Sequence, residues 1–162
     1  MKLNLGSGTN SMSGYTNIDI NPTYSDDCHD IRDLHYEEGS IEEIVANHMI
    51  EHLPFGDALK CLTEWYKWLV PRGILYLSIP DWDVLRGLLD SAANRRTVFD
   101  VLFGYRDKSD VMAHKWLMDE NGLTGILEGI GFIIGGKFKG MAGSSSFKVN
   151  GVPISLNLIC KK

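Results

Sequence analysis

Hydrophobic and polar positions in the first third of the chain follow the pattern of short buried strands. Apolar residues cluster at residues 2–5, 16–20 and 41–48, and each cluster ends in glycine, proline or concentrated polar residues. Such bounded runs are typical of strands in a buried sheet. Residues 28–34 show a weaker form of the pattern and predict a further short strand before the last of these.

The spacing becomes helical between residues 57 and 69. Ala58, Leu62, Trp65 and Leu69 recur three or four positions apart, which predicts one apolar face of an amphipathic helix that ends before Pro71 and Gly73. The remaining pattern predicts a strand at residues 74–79, a helix capped by Asp81, a helical piece and a loop across residues 95–109, a helix capped by Asp119, and closing strands at residues 132–138 and 154–160.

Alternation of strands with helices predicts an α/β fold with a mostly parallel sheet. The closing pair of strands adds one antiparallel strand, which we expect at an edge of the sheet. The first crossover is unusual, because only residues 9–15 separate the glycines after the first strand from the second strand. A parallel crossover normally needs a dozen or more residues. Either the first crossover helix is shortened or absent, or the second strand lies elsewhere.

Composition limits the classes of function that the chain can serve. We expect a single domain over residues 1–162, because that length is enough for one domain and little else. The net charge of −5 argues against sequence-independent nucleic-acid binding, which depends on lysine and arginine. The three cysteines form no CxxC pair, and no signal-peptide or membrane-span pattern is present, which together predict a cytoplasmic protein.

Glycines and an acidic residue follow the first two predicted strands. Gly6-Ser7-Gly8 ends the first run, and glycines there let the backbone bend and approach a ligand closely. Asp19 ends the second strand, where a carboxylate can accept both hydroxyls of a ribose. An ordinary turn at the glycines, and an Asx turn of Asp19 before Pro22, are the alternative interpretations.

Two further clusters of chemical groups follow the next predicted strands. Asp30-Ile31 combines a carboxylate that suits an adenine amino group with an apolar side chain that can flank the ring. Residues 46–54 (ANHMIEHLP) concentrate polar side chains at the end of a strand. Because open α/β sheets bind ligands at the carboxyl ends of their strands, we expect these groups to gather at one site.

These four segments, in this order, resemble the class I S-adenosylmethionine-dependent methyltransferases, in particular the small predicted methyltransferases often found near polysaccharide biosynthesis genes. Three later segments extend the resemblance over nearly the whole chain, namely residues 69–75, 114–132 and 154–157. The resemblance implies a Rossmann-like fold, methyltransferase activity and S-adenosylmethionine as the cofactor.

The resemblance also implies the residues that bind the cofactor, which are Leu5, Gly6, Ser7, Gly8, Asp19, Ile20, Asp30, Ile31, Asn47 and His48. The first four would pass under the methionine part. Asp19 would accept hydrogen bonds from the ribose hydroxyls, and Ile20 would lie against the adenine. Asp30 and Ile31 would meet the edge and the face of the adenine, and the last two would line the floor of the site.

Glu51 and His52 would lie nearer the methyl acceptor and are the candidate catalytic residues. Histidine suits a general base, although in-line positioning of a sulfonium methyl group can suffice for transfer. A partly buried histidine capping a turn is the alternative for His52. His114 is a second candidate base that the sequence does not place. We expect a small-molecule or sugar-like acceptor, since the chain has no appended domain, and a homo-oligomer stays open.

Two residues depart from the family pattern. Asn4 stands where many methyltransferases have an acid, which weakens an anchor for the methionine amino group. Asn4 and the short first crossover together leave a cofactor-binding protein without catalysis as an alternative function. Ser11 breaks the G-x-G-x-x-G pattern, which counts against a nicotinamide cofactor more than against S-adenosylmethionine.

A zinc hydrolase is a further alternative. Residues 48–52 (HMIEH) fit H-x-x-E-H, the inverted zinc-peptidase pattern, which needs both histidines on one helical face and a third ligand. Pro54 follows closely and weighs against such a helix, so we assign no metal to the methyltransferase site. Residues 104–113 are a candidate lid or acceptor pocket.

Overall fold

The protein is described by a computed structural model over residues 1–104, 112–141 and 146–162, which form a mixed sheet with helices packed on it. The strands are β1 (Lys2–Leu5), β2 (Thr16–Asp19), β3 (Asp27–Cys28), β4 (Ile41–Asn47), β5 (Leu69–Pro80), β6 (Ile133–Lys137), β7 (Lys148–Val149), β8 (Val152–Pro153) and β9 (Ser155–Lys161). The helices are α1 (Phe55–Trp68), α2 (Trp82–Leu88), α3 (Ala92–Phe103) and α4 (Glu120–Ile130). Within the described residues, no helix combines the length and the apolar character needed to cross a bilayer.

The main sheet has seven strands in the order β3-β2-β1-β4-β5-β9-β6, and β7 pairs with β8 in a separate ribbon. Strands β1 to β5 pair in parallel, whereas β9 runs antiparallel to both of its neighbours. The predicted mostly parallel α/β sheet is confirmed.

The antiparallel strand lies one place further in than predicted. β9 is inserted between β5 and β6, and the edge of the sheet is β6. The burial pattern explains the order, because β9 buries Leu156, Leu158 and Cys160 while β6 is mostly exposed. A strand whose alternate side chains are all buried is stabilised most where neighbours pair with it on both sides.

The weak strand predicted over residues 28–34 is mostly not a strand. β3 contains only two residues, and a 3₁₀ turn at Ile31–Asp33 follows it. Asp30 caps this turn, since its side chain accepts a hydrogen bond from the backbone N–H of Arg32. A short polar side chain that bonds its own backbone in this way competes with strand pairing.

The hydrophobic core lies between the sheet and the pair of helices α1 and α4. The apolar face predicted for α1 is buried, and Trp65 is fully excluded from solvent. Leu123 and Leu127 of α4 join the same core, together with inward side chains of the strands such as Leu3 and Leu5. Burying each large apolar side chain contributes roughly 1.5–3 kcal/mol, so this layer fixes the position of the sheet.

The first crossover contains no helix, as the spacing predicted. β1 and β2 pair in parallel, with Leu5 opposite Ile18, although residues 6–15 between them form only turns. The second strand is therefore at the predicted place, and it is the crossover helix that is absent. The face of β1 and β2 that such a helix would cover carries buried Asn4 and Asn17 instead of apolar residues.

A network of amide groups takes the place of that helix. The Asn17 Oδ1 atom accepts hydrogen bonds from Asn4 Nδ2 at 2.8 Å and from the Met12 backbone N–H at 2.8 Å. The Asn17 Nδ2 group donates to Asp26 Oδ2 at 2.7 Å, and Asn4 Nδ2 also donates to the Asn10 carbonyl at 2.9 Å. The crossover loop is thus held to the sheet by polar groups that would be costly to bury without partners.

We predict that Asn17→Ala lowers the free energy of unfolding by about 2 kcal/mol, because it leaves several buried donors and acceptors without a partner. Urea denaturation followed by circular dichroism measures this change. Asn10→Ala is the matched control, since it retains the backbone carbonyl that Asn4 uses. Equal stabilities of the two variants would contradict a structural role for the network.

Candidate functional site

The glycine loop after β1 is shaped by close contacts on both of its sides. The backbone N–H groups of Gly6 and Ser7 both donate to the Ile18 carbonyl, at 2.8 and 3.1 Å, which ties the loop to the end of β2. Gly6 has a φ of 65°, and a Cβ atom added to it would overlap the side chain of Met49. Only glycine meets both requirements at this position.

The carboxylate of Asp19 joins this loop to the segment after β2. Its Oδ2 atom accepts from the Gly8 N–H at 2.9 Å, and its Oδ1 atom accepts from the Asn21 N–H at 2.9 Å. A carboxylate offers about four lone-pair positions, so acceptor capacity remains for further donors such as hydroxyls. Asp19 is half-buried, and the neighbouring Ile20 side chain is 53% exposed.

Space is open beside this carboxylate. Gly8 has a φ of 49°, and a Cβ atom added to it would meet no atom within 4 Å. Ser7 is buried and its hydroxyl donates to the Tyr24 carbonyl at 3.0 Å, while Leu5 lies in the core and contributes its backbone alone to the surface of the loop. A ligand can therefore approach the Gly8 backbone beside Asp19 and Ile20.

Asp30 and Ile31 have other partners in this structure. Asp30 accepts from the Arg32 side chain at 2.9 Å (Nε) and 2.5 Å (Nη2), and this hydrogen bonding holds the pKa of the Asp30 carboxyl below its usual value. Ile31 is only 7% exposed and packs into the core. An adenine bound here would compete with Arg32 for Asp30, so the adenine contacts inferred for both residues stay a prediction.

A cavity of about 230 Å³ lies on the other side of this segment, between the 3₁₀ turn at Ile31–Asp33 and α1. Ile31, Arg32 and Leu34 line one wall, and Asp57, Lys60, Cys61, Glu64 and Trp68 line the other. None of the glycine-loop residues lines it. The cavity is therefore separate from the site at the carboxyl ends of β1 and β2.

The end of β4 brings Asn47 and His48 beside the glycine loop. β4 pairs in parallel with β1, with Leu5 opposite Ala46, so the residues that follow the two strands are neighbours. The Asn47 Oδ1 atom accepts from the Ser78 hydroxyl at 3.0 Å, which fixes that side chain against β5. Asn47 and the glycine loop thus belong to one edge of the sheet, as predicted.

His48 adopts a backbone conformation that is uncommon for a residue with a side chain. Its φ is 49°, and its N–H donates to the Ser78 carbonyl at 2.9 Å. The ring Nε2 atom lies 2.8 Å from the Ser155 hydroxyl, and Nδ1 lies 3.2 Å from Glu51 Oε1. A strained residue with several fixed contacts is typical of functional sites, although the strain alone assigns no role.

Glu51 is the centre of a buried cluster of imidazoles. The cluster, which we call the Glu51 cluster, consists of His48, Glu51, His52 and His114. The Glu51 carboxylate is fully buried, and its Oε1 atom lies 3.9 Å from His114 Nε2. The rings of His52 and His114 meet edge to face with their centroids 4.7 Å apart. The candidate catalytic residues thus lie together with His114, which the sequence did not place.

Two hydrogen bonds, one from a backbone N–H and one from an indole side chain, hold the His114 segment against the end of β4. The Lys115 N–H donates to the Glu51 carbonyl at 2.8 Å, and the Trp116 indole N–H donates to the Leu53 carbonyl at 3.1 Å. The signal for this contact is absent from the sequence, since more than sixty positions separate the two segments. Of the lid predicted over residues 104–113, residues 105–111 lie outside the described part of the chain, and Gly104 pairs with Ala113.

Burial and attraction act in opposite directions on the Glu51 cluster. Burial would raise the pKa of the Glu51 carboxyl, but the close contact with the His48 ring, together with attraction to His52 and His114, outweighs burial and holds that pKa below its usual value. Burial lowers the pKa of His114 to about 4, against the opposing attraction of Glu51. At neutral pH the cluster therefore contains an ionised carboxylate and an uncharged His114.

The H-x-x-E-H segment is not the helix that an inverted zinc peptidase requires. His48 lies outside any helix at a positive φ, and only Ile50–His52 form a single 3₁₀ turn. The two histidines therefore do not lie one above the other on a helical face. The structure gives no support to the zinc hydrolase alternative.

A family model supports the resemblance inferred from the sequence. Residues 3–77 match the family described as "Methyltransferase domain". This segment contains the glycine loop, Asp19, the Asp30-Ile31 segment and the whole of the segment after β4. No curated protein matches the sequence significantly.

Solved structures share the fold of the whole chain. A SAM-dependent methyltransferase from Archaeoglobus fulgidus is similar with a TM-score of 0.66 at 16% identity, covering 99% of this chain and 85% of that one. An S-adenosylmethionine-dependent methyltransferase from Mesorhizobium loti gives 0.65 at 13% identity, with coverage of 99% and 90%. The 1,6-didemethyltoxoflavin-N1-methyltransferase of Burkholderia thailandensis, solved with its substrate and S-adenosylhomocysteine, gives 0.65 at 13% identity, with coverage of 99% and 70%. At these identities the likeness establishes the fold.

We predict that Gly6→Ala lowers the free energy of unfolding by about 3 kcal/mol, since it adds a strained φ to a clash with Met49. Gly8→Ala is the matched control, because its φ is also positive but its surroundings are open, so the expected loss is about 1 kcal/mol. Thermal and urea denaturation of both variants measure the difference. If Gly8→Ala were the more destabilising change, the packing of Met49 against the loop would be refuted.

Proposed function

We propose that this chain, which has the fold of S-adenosylmethionine-dependent methyltransferases and matches the methyltransferase-domain family over residues 3–77, transfers a methyl group from S-adenosylmethionine to a small-molecule or sugar-like acceptor. The observation that carries the proposal is the hydrogen bond between the Gly8 N–H and the Asp19 carboxylate. It joins the two groups that a nucleoside-containing ligand needs at one edge of a parallel sheet.

The residues around Asp19 fit this cofactor. A Cβ atom at Gly8 would occupy the open space where a ligand can reach the backbone, and exposed Ile20 offers an apolar surface to a purine ring. Asp19 is proposed to accept the ribose hydroxyls, and Gly6, Ser7 and Gly8 to pass beneath the methionine part. Bound S-adenosylmethionine supplies a methyl group on a sulfonium sulfur, which a nucleophile can take directly.

Asn47 and His48 are proposed to form the floor beneath the cofactor. Their contacts to Ser78 and Ser155 support this role, because they fix both side chains to neighbouring strands. Because these side chains are already held in position, less side-chain conformational entropy is lost when the cofactor binds. Asp30 and Ile31 are proposed to lie beside the adenine, with Arg32 releasing Asp30 when the cofactor binds.

Glu51 and His52 are proposed to act on the acceptor side of the site. His52 would accept the proton that a hydroxyl or amine acceptor loses as its lone pair forms the new bond to carbon. Glu51 is buried next to three imidazoles and would orient them. The remaining contribution of the protein to the reaction rate would be positioning, because an acceptor held close to the methyl carbon reacts faster than a free one.

A cofactor-binding protein without catalysis is the second candidate function, and one observation favours it. Asn4 replaces the usual acid and its amide group is committed to Asn10 and Asn17, at 2.9 and 2.8 Å. The methionine amino group would therefore lack a carboxylate partner at this position. Binding without methyl transfer to a broad panel of hydroxyl and amine acceptors would support this candidate over the enzyme.

We further propose that residues 1–162 act as a single cytoplasmic domain. The continuous sheet that runs from β3 to β6 supports a single domain. The net charge of −5 favours a small acceptor over a nucleic acid. Assembly into a homo-oligomer is compatible with the proposal and is not required by it.

We predict that calorimetric titration detects micromolar binding of S-adenosylmethionine and S-adenosylhomocysteine, and no binding of NADH. Asp19→Ala should weaken both affinities at least 30-fold, because it removes the acceptor for the ribose hydroxyls and loosens the glycine loop. Asp33→Ala is the matched control, as it removes an exposed carboxylate from the neighbouring acidic stretch. NADH binding by the folded protein, or unchanged affinity in Asp19→Ala, would sink the proposal.

A further inference from the structure

Three side chains of the Glu51 cluster converge on one point. Glu51, His52 and His114 each offer one atom able to bind a metal, and these atoms all lie within 4.8 Å of one another. Glu51 and His52 come from the 3₁₀ turn after β4, whereas His114 comes from the segment before α4. The convergence therefore arises from tertiary structure and not from the spacing of one helix.

Several polar atoms of these groups lack a hydrogen-bond partner within the described residues, although the His114 ring also has a hydrogen bond to the Val101 backbone. Both Glu51 carboxylate oxygens, His52 Nδ1 and His114 Nδ1 are buried without one. The Nδ1 atom of His48 is 3.2 Å from Glu51 Oε1, which is close enough for attraction but leaves the oxygen without an aligned donor. Buried polar atoms are nearly always paired in folded proteins, so unpaired atoms on three side chains that converge call for a binding partner.

We propose that Glu51, His52 and His114 bind a divalent transition-metal ion such as Zn²⁺. One carboxylate and two imidazoles form a ligand set that suits zinc, cobalt, nickel and ferrous ions better than magnesium or calcium, which prefer oxygen ligands alone. The ion would also place a positive charge next to a buried carboxylate whose nearest partners among the described residues are imidazoles. A buried charge is tolerated when it is paired or coordinates a metal.

The separations fit a site that closes slightly on the ion. Ligand atoms about 2.1 Å from a tetrahedral ion lie roughly 3.4 Å from each other. The observed limit of 4.8 Å thus requires shifts of about an ångström or less per side chain, which rotations of the Glu51 and His52 side chains can supply. Hydrogen bonds from the Lys115 backbone N–H and the Trp116 indole hold His114 in place independently of any ion.

His48 is suited to orient the carboxylate ligand. It lies against Glu51 on one side and is bound to Ser155 on the other, through a contact of 2.8 Å. Residues that hold metal ligands in this way tune the affinity of a site. The ligand set is therefore different from the H-x-x-E-H pattern, in which His48 and His52 would both be ligands.

Three protein ligands leave at least one position of a four-coordinate ion for water or another oxygen ligand. An ion that binds an acceptor hydroxyl lowers the pKa of that hydroxyl, and His52 would then be a ligand and not a base. This use of the ion rests on the proposed methyltransferase function, whereas binding of the ion does not. Failure of the two proposals can therefore be distinguished.

Titration of chelator-treated protein with Co²⁺ tests the proposal. We expect one ion per chain, visible absorption typical of a four- or five-coordinate site, and displacement of the colour by Zn²⁺. Glu51→Gln and His114→Ala should each weaken Co²⁺ binding on the order of 100-fold or more. His35→Ala is the matched control, since it removes an exposed histidine outside the cluster and should bind Co²⁺ as the parent protein does.

Circular dichroism and thermal denaturation establish that each variant is folded. If His114→Ala does not fold, His52→Asn takes its place, since it retains a polar side chain in the 3₁₀ turn. A folded parent protein that binds no Co²⁺ or Zn²⁺ at micromolar concentration overturns the proposal, and so does equal binding by parent and Glu51→Gln. A parent protein that binds Co²⁺ but does not bind S-adenosylhomocysteine would instead contradict the proposed function.

Discussion

The contact between Gly6 and Met49 is the constraint on which the candidate site depends. β1 and β4 are neighbouring parallel strands, and the chain segments that leave them meet at this contact. The absent Cβ of Gly6 lets Met49 pack beneath the glycine loop, while the same loop is held from the other side by Ile18 and Asp19. One glycine thus joins the segment proposed to bind the cofactor to the segment proposed to act on the acceptor.

The absence of the first crossover helix sets a second constraint. A helix would cover β1 and β2 with apolar side chains, but here the loop at residues 6–15 is held by the amides of Asn4 and Asn17. The arrangement saves chain length and uses Asn4 for structure. That use explains in physical terms why Asn4 is a weak candidate to hold the methionine amino group. Structure and ligand compete for the same side chain.

The sequence was sufficient for those features that depend on local pattern. Glycines, prolines and polar residues mark the ends of β1, β2 and β4, and parallel strands place their carboxyl ends at one edge. The helical spacing of Ala58, Leu62 and Trp65, which is also a local pattern, predicted the buried face of α1. The short first crossover was visible in a simple count of residues.

Features that depend on tertiary packing could not be predicted from the sequence. The insertion of β9 between β5 and β6 depends on which strands can be buried on both sides, and the sequence pattern of a closing pair is the same for either order. His114 meets Glu51 because the Lys115 backbone N–H and the Trp116 indole donate to the segment after β4, and these contacts have no signature in the sequence. Ile31 faces the core because Asp30 caps a 3₁₀ turn, where the pattern predicted a strand.

The proposed function requires one ligand to span the glycine loop, Asp19 and the end of β4. A crystal structure of the complex with S-adenosylhomocysteine tests it most directly. We predict ribose hydroxyls on the Asp19 carboxylate, adenine against Ile20, and the homocysteine part above Gly6 and Gly8, with its sulfur directed towards the Glu51 cluster. A ligand bound in the cavity between α1 and the 3₁₀ turn, with Asp19 left uncontacted, would contradict it.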